Sequence, residues 1–344
     1  MPSIKFSGPL RFRLKGFLAL NKIAIATYLN HAASRKIHLD WDANMEIGVR
    51  FIRHQFKRAF NAKNINEGRQ ILDAVQTETP DIYDIDTRQH NDPKGTWYLP
   101  RKRKSNATIL YLHGGGYTFH GAMSKRFAAM LAHHIGAPLF APEYRLTPEH
   151  PHPAQAEDAL SAWHHVAKDT PPKNIVIIGD SAGGHMVLML LLALREQVMP
   201  QPAACIALCP WTDIGDRGES LSANDKSDLV QGWMALQFGT WLDPDGTYGR
   251  KALSPIEHDY SGLAPLYLQA GGQEILRDMI LQFAQQQVVN GADVICDLWP
   301  AMPHDFQLMD STQEDSAEAL VRITACVHSK VDGVGEFGKG LRSV

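Results

Sequence analysis

Residues 174–184 read Asn-Ile-Val-Ile-Ile-Gly-Asp-Ser-Ala-Gly-Gly. The β-branched run over residues 174–178 is typical of a strand that is buried on both faces of a parallel sheet. An apolar run over residues 186–193 follows the glycines directly and favours a helix. The stretch therefore predicts a strand, a sharp turn and a helix, with Ser181 at the apex of the turn.

The spacing of the glycines around Ser181 is G-x-S-x-G. Glycine is needed on both sides because a strained turn brings neighbouring backbones too close for a Cβ atom. Such a turn exposes the serine hydroxyl and directs the Ala182 N–H, at the helix N-terminus, toward a developing oxyanion. A glycine-rich connector with an incidental serine is the alternative, but the flanking strand and helix favour a nucleophile.

Outward from this turn, short apolar runs alternate with longer helical stretches. This alternation predicts an α/β fold with a mostly parallel sheet flanked by helices. The predicted strands are residues 107–112, 138–141, 174–178, 203–209, 265–270 and 292–299. The predicted helices are residues 124–136, 154–168, 182–197, 277–290 and 313–328.

A second glycine-rich segment, His113-Gly-Gly-Gly-Tyr117, follows the predicted strand 107–112. Consecutive glycines let the backbone approach a bound carbonyl group with its N–H groups free. We expect Gly114 and Gly115 to donate to an oxyanion together with Ala182. A phosphate-binding loop is the competing interpretation, but neither G-x-x-x-x-G-K-[ST] nor G-x-G-x-x-G occurs here.

These motifs resemble the hormone-sensitive-lipase-like branch of the α/β-hydrolases, known in bacteria as family IV carboxylesterases. The matching segments run in family order over about residues 80–310. They are residues 113–117, 144–151, 179–184, 210–213, 274–278 and 303–306. The resemblance implies an α/β-hydrolase fold with a helical cap. It also implies hydrolysis of short- to medium-chain carboxylic esters through an acyl-serine, without cofactor or metal.

The resemblance places the acid of a catalytic triad at Glu274 and the base at His304. Each follows a predicted strand, in the chain order serine, acid, histidine. Asp278 lies one turn beyond Glu274 and is the alternative acid. Relatives usually carry His-Gly-Phe where this chain has His304-Asp305-Phe306, so Asp305 is a candidate for adjusting the pKa of His304.

Two segments interrupt the alternation of strands and helices. Residues 212–252 are too long for a simple connection and are rich in large apolar side chains, so we expect a cap insertion. Residues 1–60 are predicted to be a helical N-terminal cap segment, residues 61–330 the catalytic domain and residues 331–344 a flexible tail. Large side chains near the motifs are candidates for a substrate pocket, although ordinary packing explains each of them equally well. They are Tyr117, Phe119, Trp211, Trp233, Met234, Phe238 and Trp241.

The charge of the chain is unevenly distributed. The net charge of −3 excludes binding of nucleic acid through overall positive charge. Residues 1–60, however, carry eleven Lys and Arg against Asp40, Asp42 and Glu46. This basic segment predicts peripheral contact with an anionic membrane.

The composition also bears on compartment, partners and competing functions. Four cysteines without a C-x-x-C pair, and an apolar run at residues 16–26 that Asn21 and Lys22 interrupt, predict a cytoplasmic protein without a cleaved signal. The expected partner is a small-molecule ester, and a homodimer stays open. A lactone, amide or carbamate hydrolase would use the same triad, and a non-catalytic ligand receptor would share the fold.

Overall fold

The computed structural model describes residues 5–76, 82–310 and 312–338. The strands in these ranges are β1 (Lys5–Phe6), β2 (Val75–Gln76), β3 (Ile85–Asn91), β4 (Lys94–Pro100), β5 (Thr108–Leu112), β6 (Leu139–Pro142), β7 (Ile175–Asp180), β8 (Ala204–Leu208), β9 (Leu266–Gly271) and β10 (Val294–Trp299). The helices are α1 (Leu10–Ala32), α2 (Ala43–Phe60), α3 (Ile65–Asp73), α4 (Ala122–Ile135), α5 (Ala154–Asp169), α6 (Ala182–Glu196), α7 (Ser220–Ala223), α8 (Gly232–Leu242), α9 (Arg250–Leu253), α10 (Arg277–Val289) and α11 (Glu314–Val327).

One sheet organises the described chain, and eight of the strands join it in the order β10-β9-β8-β7-β5-β6-β4-β3. The pairs β3–β4 and β4–β6 are antiparallel, and the other neighbouring pairs are parallel. The predicted α/β class is confirmed, and each predicted strand and helix has a counterpart within two residues at either end. The parallel arrangement brings the carboxyl ends of β5, β7, β9 and β10 to one edge of the sheet.

Strand β7 is buried on both faces, as its uninterrupted apolar sequence predicts. Ile175 and Ile177 face one cluster of apolar side chains, which includes Trp163 of α5 and residues of α6 and α10. Val176 and Ile178 face a second cluster, which contains residues of α4 and α11. Because successive side chains of a strand point to opposite faces, one short run anchors both helical layers.

The hairpin of β3 and β4 is not among the strands that the sequence predicts. Most side chains of β3 are exposed, so the strand lacks the apolar run that reveals a buried strand. β3 lies at the outer edge of the sheet, where polar side chains are tolerated on both faces.

The two segments that interrupt the alternation are in contact with each other. The ring of Phe60, at the end of α2, stacks on Trp241 of α8 with centroids 5.5 Å apart. Arg53 of α2 also pairs with Asp225 at 3.0 Å. The N-terminal helices and the insertion therefore pack together. Among the described residues, no helix has the length and apolar character needed to cross a membrane.

The C-terminal segment does not match the predicted flexible tail in residues 331–338. Asp332 accepts hydrogen bonds from the Ser105 hydroxyl at 2.5 Å and the Asn106 N–H at 2.9 Å. Phe337 packs edge-on against Tyr267, with ring centroids 4.8 Å apart. These contacts hold the segment to the sheet; residues 339–344 lie outside the described residues.

The packing of α6 against β5 predicts that Gly183→Ala destabilises the protein. A Cβ atom on Gly183 would collide with the carbonyl oxygen of Leu112 and the backbone of His113. We expect the free energy of unfolding to fall by roughly 1–3 kcal/mol or more, measured by urea denaturation. Gly48→Ala is the matched control, because nothing lies within 4 Å of a Cβ there and alanine favours the helix. Equal urea midpoints for Gly183→Ala and the wild type would contradict this account.

Candidate active site

Ser181 occupies the turn between β7 and α6 with a strained backbone. Its φ is +54°, in the left-handed region that non-glycine residues rarely adopt. The Ser181 N–H donates to the Leu208 carbonyl at 2.8 Å, and its own carbonyl accepts the His185 N–H at 3.0 Å. A Cβ atom on Gly179 would collide with the carbonyl group of Gly183. The turn therefore requires its glycines and holds the serine hydroxyl at the carboxyl end of β7.

The structure brings the three predicted triad residues into one hydrogen-bonded chain. Ser181 Oγ lies 2.8 Å from His304 Nε2, and His304 Nδ1 lies 2.8 Å from Glu274 Oε2. The other carboxylate oxygen of Glu274 accepts the Gly271 N–H at 2.7 Å. Glu274 follows β9 and His304 follows β10, so the parallel sheet delivers both to the edge where β7 presents Ser181.

The alternative acid, Asp278, is engaged elsewhere. Its carboxylate accepts the Ser220 N–H at 2.8 Å and pairs with Arg277 at 2.8 Å. These contacts tie the start of α10 to α7, so Glu274 and not Asp278 is the carboxylate at His304 Nδ1.

Asp228 is a buried residue of the site that the sequence analysis missed. Its Oδ1 accepts the His304 N–H at 3.0 Å, and its Oδ2 accepts the Ile275 N–H at 2.6 Å. One carboxylate thus ties the loop that carries His304 to the loop that carries Glu274. Burial raises the pKa of Asp228 to about 6. The nearby imidazole of His304 has the opposite effect, because it favours the charged form of Asp228. Asp228 belongs to no motif, so no local sequence signal identifies it.

The expectation that Gly114 is an oxyanion donor is wrong. The Gly114 N–H donates to Asp180 Oδ1 at 3.0 Å, and the Tyr111 hydroxyl donates to the same oxygen at 2.5 Å. The next two residues, Gly115 and Gly116, have φ values of +98° and +61° and line the cleft at Ser181.

Three N–H groups are available at the cleft for an oxyanion. Within the described ranges, no acceptor is hydrogen-bonded to the N–H of Gly115, Gly116 or Ala182. Their position beside the serine supports an oxyanion hole made by these three groups, with Asp180 fixing the loop through Gly114.

A cleft of about 1100 Å³, its open mouth included, lies over the serine. Three of the seven predicted pocket residues, Phe119, Trp211 and Phe238, line it. The lining also contains apolar side chains from the N-terminal helices and from the loops after Asp228 and Glu274, which the sequence analysis missed. They are Phe56, Leu72, Leu229, Val230, Ile275 and Leu276.

The other four predicted pocket residues do not line the cleft. Tyr117 points into the core, where its hydroxyl lies 2.6 Å from His185 Nδ1. Met234 is fully buried, and Trp241 stacks on Phe60. Trp233 is 44% exposed. Spacing along α8 could not separate its cleft face from its packed face, because both faces are apolar.

Asp305 places a second carboxylate beside the imidazole of His304. Its Oδ2 lies 3.4 Å from His304 Nε2, the nitrogen that also meets Ser181. Burial tends to lower the pKa of His304, but the carboxylates of Asp305, Glu274 and Asp228 outweigh it and raise this pKa to about 10. The pKa of Asp305 is itself raised well above its usual value, chiefly by burial, with Asp180 among the carboxylates that face it.

One group of side chains at the site has the donor types of a metal site. The ligand atoms of Cys209, His304 and Asp305 lie within 4.8 Å of one another. Both ring nitrogens of His304, however, are already engaged: Nε2 contacts Ser181 and Nδ1 contacts Glu274. Burial also raises the pKa of the Cys209 thiol well above its usual value, which disfavours the thiolate that binds metals. The residues therefore fit a serine triad better than a metal centre.

The contact with Asp305 predicts a shift in the pH dependence of catalysis. His304 must be uncharged to accept the Ser181 proton, so the rate rises as the pH passes the pKa of His304. Asp305→Asn removes the charge that raises this pKa. The acid limb of kcat/KM should therefore move to lower pH by about one pH unit or more. Asp216→Asn, an exposed acid paired with Arg250, is the control. Superimposable profiles for Asp305→Asn and the wild type would refute the assignment.

The contacts of Asp228 predict that Asp228→Asn impairs catalysis through the position of His304. One amide oxygen cannot replace both carboxylate oxygens, so one of the two loop contacts is lost. We expect kcat to fall about 10- to 100-fold with KM changed little, since Asp228 is not among the residues that line the cleft. Circular dichroism and the urea midpoint separate this effect from unfolding. A wild-type kcat in a folded variant would show that Asp228 does not position the base.

Comparisons with known proteins agree with this geometry. Residues 109–308 match the sequence profile of a protein family whose description is α/β hydrolase fold. An acetyl-hydrolase from Streptomyces hygroscopicus is 34% identical over 211 residues, which are 60% of this chain and 70% of that protein. An esterase from Acinetobacter venetianus is 32% identical over 230 residues, which are 64% of this chain and 75% of that protein. The crystal structure of an esterase from the bacterial hormone-sensitive lipase family aligns with a TM-score of 0.73 and 28% identity, covering 82% of this chain and 98% of that one.

Proposed function

Since this chain belongs to the α/β-hydrolase family, in its branch of bacterial hormone-sensitive-lipase-like esterases, and is a carboxylesterase, we propose that Ser181, His304 and Glu274 are its catalytic triad. The observation that carries the proposal is the hydrogen-bonded chain from Ser181 Oγ through the imidazole to the buried carboxylate. Each residue meets the requirement of its role: a nucleophile that lines the cleft, a base within reach and an acid that orients the base.

The first half of the reaction forms an acyl-serine. Ser181 Oγ attacks the acyl carbon while His304 Nε2 takes its proton. Glu274 accepts a hydrogen bond from the Nδ1–H group of the imidazole. This bond fixes the tautomer and stabilises the imidazolium. The tetrahedral intermediate then expels the alcohol, which receives the proton from Nε2. Water repeats the sequence on the acyl-Ser181 and releases the carboxylic acid.

The negative charge that develops on the carbonyl oxygen requires donors that are already in place. We propose that the N–H groups of Gly115, Gly116 and Ala182 provide them. One such donor is typically worth about 2.7–4 kcal/mol in the transition state. Asp180 supports this hole indirectly, because it fixes Gly114 at the start of the loop.

The lining of the cleft supports our proposal that the substrates are esters with short- to medium-length acyl chains. Phe119, Trp211 and Phe238 give it apolar walls close to Ser181. The charged side chain Arg69 at its margin is occupied by a pair with Glu149 at 2.7 Å. Lactones, amides and carbamates would meet the same triad, and a panel of esters of increasing chain length, run beside these other classes, ranks them.

We also propose a role for the segments outside the catalytic core, together with a cellular location and an assembly. Residues 1–60 and 212–252 would act together as the cap over the cleft, which the contact of Phe60 with Trp241 supports.

The basic charge of residues 1–60 supports peripheral contact with a membrane. The four cysteines, unpaired and buried in the described chain, support a cytoplasmic location. A homodimer would use the edge of β10, one of the two outermost strands of the described sheet.

The triad proposal predicts that Ser181→Ala abolishes both hydrolysis and covalent labelling. A fluorophosphonate probe should label the wild type and leave Ser181→Ala unlabelled. Hydrolysis of a p-nitrophenyl ester should fall roughly 10⁴-fold or more in Ser181→Ala and about 10⁴-fold in Glu274→Gln.

Asp278→Asn is the matched control for Glu274→Gln, since it removes a nearby carboxylate charge that does not meet His304. It should retain activity within about tenfold. A labelled Ser181→Ala protein would refute the nucleophile. Activity retained in Glu274→Gln and lost in Asp278→Asn would transfer the acid role to Asp278. An unlabelled, inactive wild type would favour a non-catalytic receptor.

A further inference from the structure

Helix α1 has two apolar faces, and its inner face packs on the helices beneath it. Phe12 forms a small buried cluster with Ile71 and Ala74 at the end of α3. Leu20 and Ile23 pack against the apolar cluster that contains side chains of α2. These contacts account for one side of the helix.

The outer face of α1 carries large apolar side chains that are 47–74% exposed. They are Leu10, Leu14, Phe17, Leu18, Ile25, Tyr28 and Leu29. Their spacing of three, four and seven residues places them on one side of the helix, opposite Phe12, Leu20 and Ile23. The stripe runs for about 28 Å at 1.5 Å per residue. Asn21 is the exposed polar residue within the stripe, and its side-chain amide donates to the Phe17 carbonyl at 2.8 Å. An exposed surface with this many large apolar side chains is unusual for a protein that binds nothing there.

The charged side chains of α1 itself have one sign. The chain contains no Asp or Glu before Asp40. Arg11, Lys15 and Lys22 project along one flank of the stripe, and Arg13 lies on the other. Arg11 reaches Glu67 of α3 at 3.4 Å, and its side chain is still 61% exposed.

We propose that the outer face of α1 docks on the surface of an anionic lipid bilayer, with the helix lying parallel to the membrane. An apolar face flanked by cations suits the boundary between acyl chains and acidic headgroups. A second copy of the chain fits this face poorly, because two such helices would bring Arg and Lys against Arg and Lys without acids to pair with them. This inference gives the proposed peripheral contact a defined surface, and it does not depend on the hydrolytic chemistry.

Docking through α1 would place the cleft close to the membrane. α1 packs on α2 and, through Phe12, on Ile71 of α3; these two helices supply Phe56 and Leu72 to the cleft wall. The membrane-bound helix and the substrate cleft are therefore separated by one layer of helices. Apolar esters concentrate in the bilayer, so the surface that binds the lipid would also bring the cleft to its substrate.

The test measures binding of the full-length protein to vesicles of phosphatidylcholine with and without phosphatidylglycerol, in the absence of any ester. The wild type should bind the anionic vesicles more tightly, and added salt should weaken binding. The variant Leu14→Gln/Phe17→Gln/Leu18→Gln should bind about tenfold or more weakly. The variant Arg13→Gln/Lys15→Gln/Lys22→Gln should lose about tenfold or more on anionic vesicles alone.

Val198→Gln/Val289→Gln/Val321→Gln is the matched control, because these valines are 65–90% exposed and lie elsewhere on the described surface. It should bind vesicles as the wild type does. All three variants should hydrolyse a water-soluble ester at the wild-type rate, which verifies their folding and keeps a failure of docking distinct from a failure of the triad.

Three results would overturn the proposal. The first is a wild type that binds neither kind of vesicle. The second is equal binding by the wild type and the variant at Leu14, Phe17 and Leu18. The third is a wild-type dimer that this variant converts to a monomer while vesicle binding is absent, which would identify a second copy as the occupant.

Discussion

The strained turn at Ser181 is the constraint around which the remaining parts of the site are arranged. A serine with φ of +54° persists only because β7 on one side and α6 on the other are fixed in the centre of the fold. The same turn leaves no space for a side chain at Gly179 or Gly183. Because its position is fixed, the oxyanion donors, the base and the acid can be supplied by separate loops that converge at one edge of the sheet.

The second constraint is electrostatic, and it concerns one imidazole among several carboxylates. Glu274, Asp228 and Asp305 all favour the protonated form of His304, whereas a general base must be uncharged. Two of these carboxylates are satisfied by backbone N–H groups, Glu274 by Gly271 and Asp228 by His304 and Ile275. Asp305 Oδ1, in contrast, accepts no hydrogen bond within the described residues, and Asp305 lines the cleft. In the proposed triad, Glu274 and Asp228 would therefore orient the base, while Asp305 would mainly set the pH at which the base becomes available.

The sequence predicted the elements whose signal is local. Apolar runs give the parallel strands, and the glycine spacing gives the turn at Ser181, because both depend on neighbouring residues. The oxyanion donors were only partly predictable. Gly114 donates to Asp180, 66 positions along the chain, and nothing in a run of three glycines shows which N–H is already engaged.

Other parts of the site depend on which side of an element faces the cleft. Asp228 holds two distant loops through backbone contacts that leave no mark in the sequence. Tyr117 adjoins the oxyanion loop in sequence, yet its hydroxyl meets His185 in the core. Phe56 and Leu72 reach the cleft from the N-terminal helices only because α2 and α3 fold over it. Each of these outcomes is decided by tertiary packing between segments far apart in the chain.

The N-terminal helix shows how the charge and the structure refine one another. From the sequence, the basic segment indicated only attraction to an anionic surface, a contact that salt weakens and that needs no particular orientation. The structure adds an apolar stripe opposite the packed face, which would fix the rotation of α1 at a bilayer. In the proposed docking, charge would bring the protein to the surface, and the stripe would determine which side of the N-terminal helices faces the lipid. A basic stretch without the stripe would attract without orienting, whereas α1 combines both properties directly above the helices that wall the cleft.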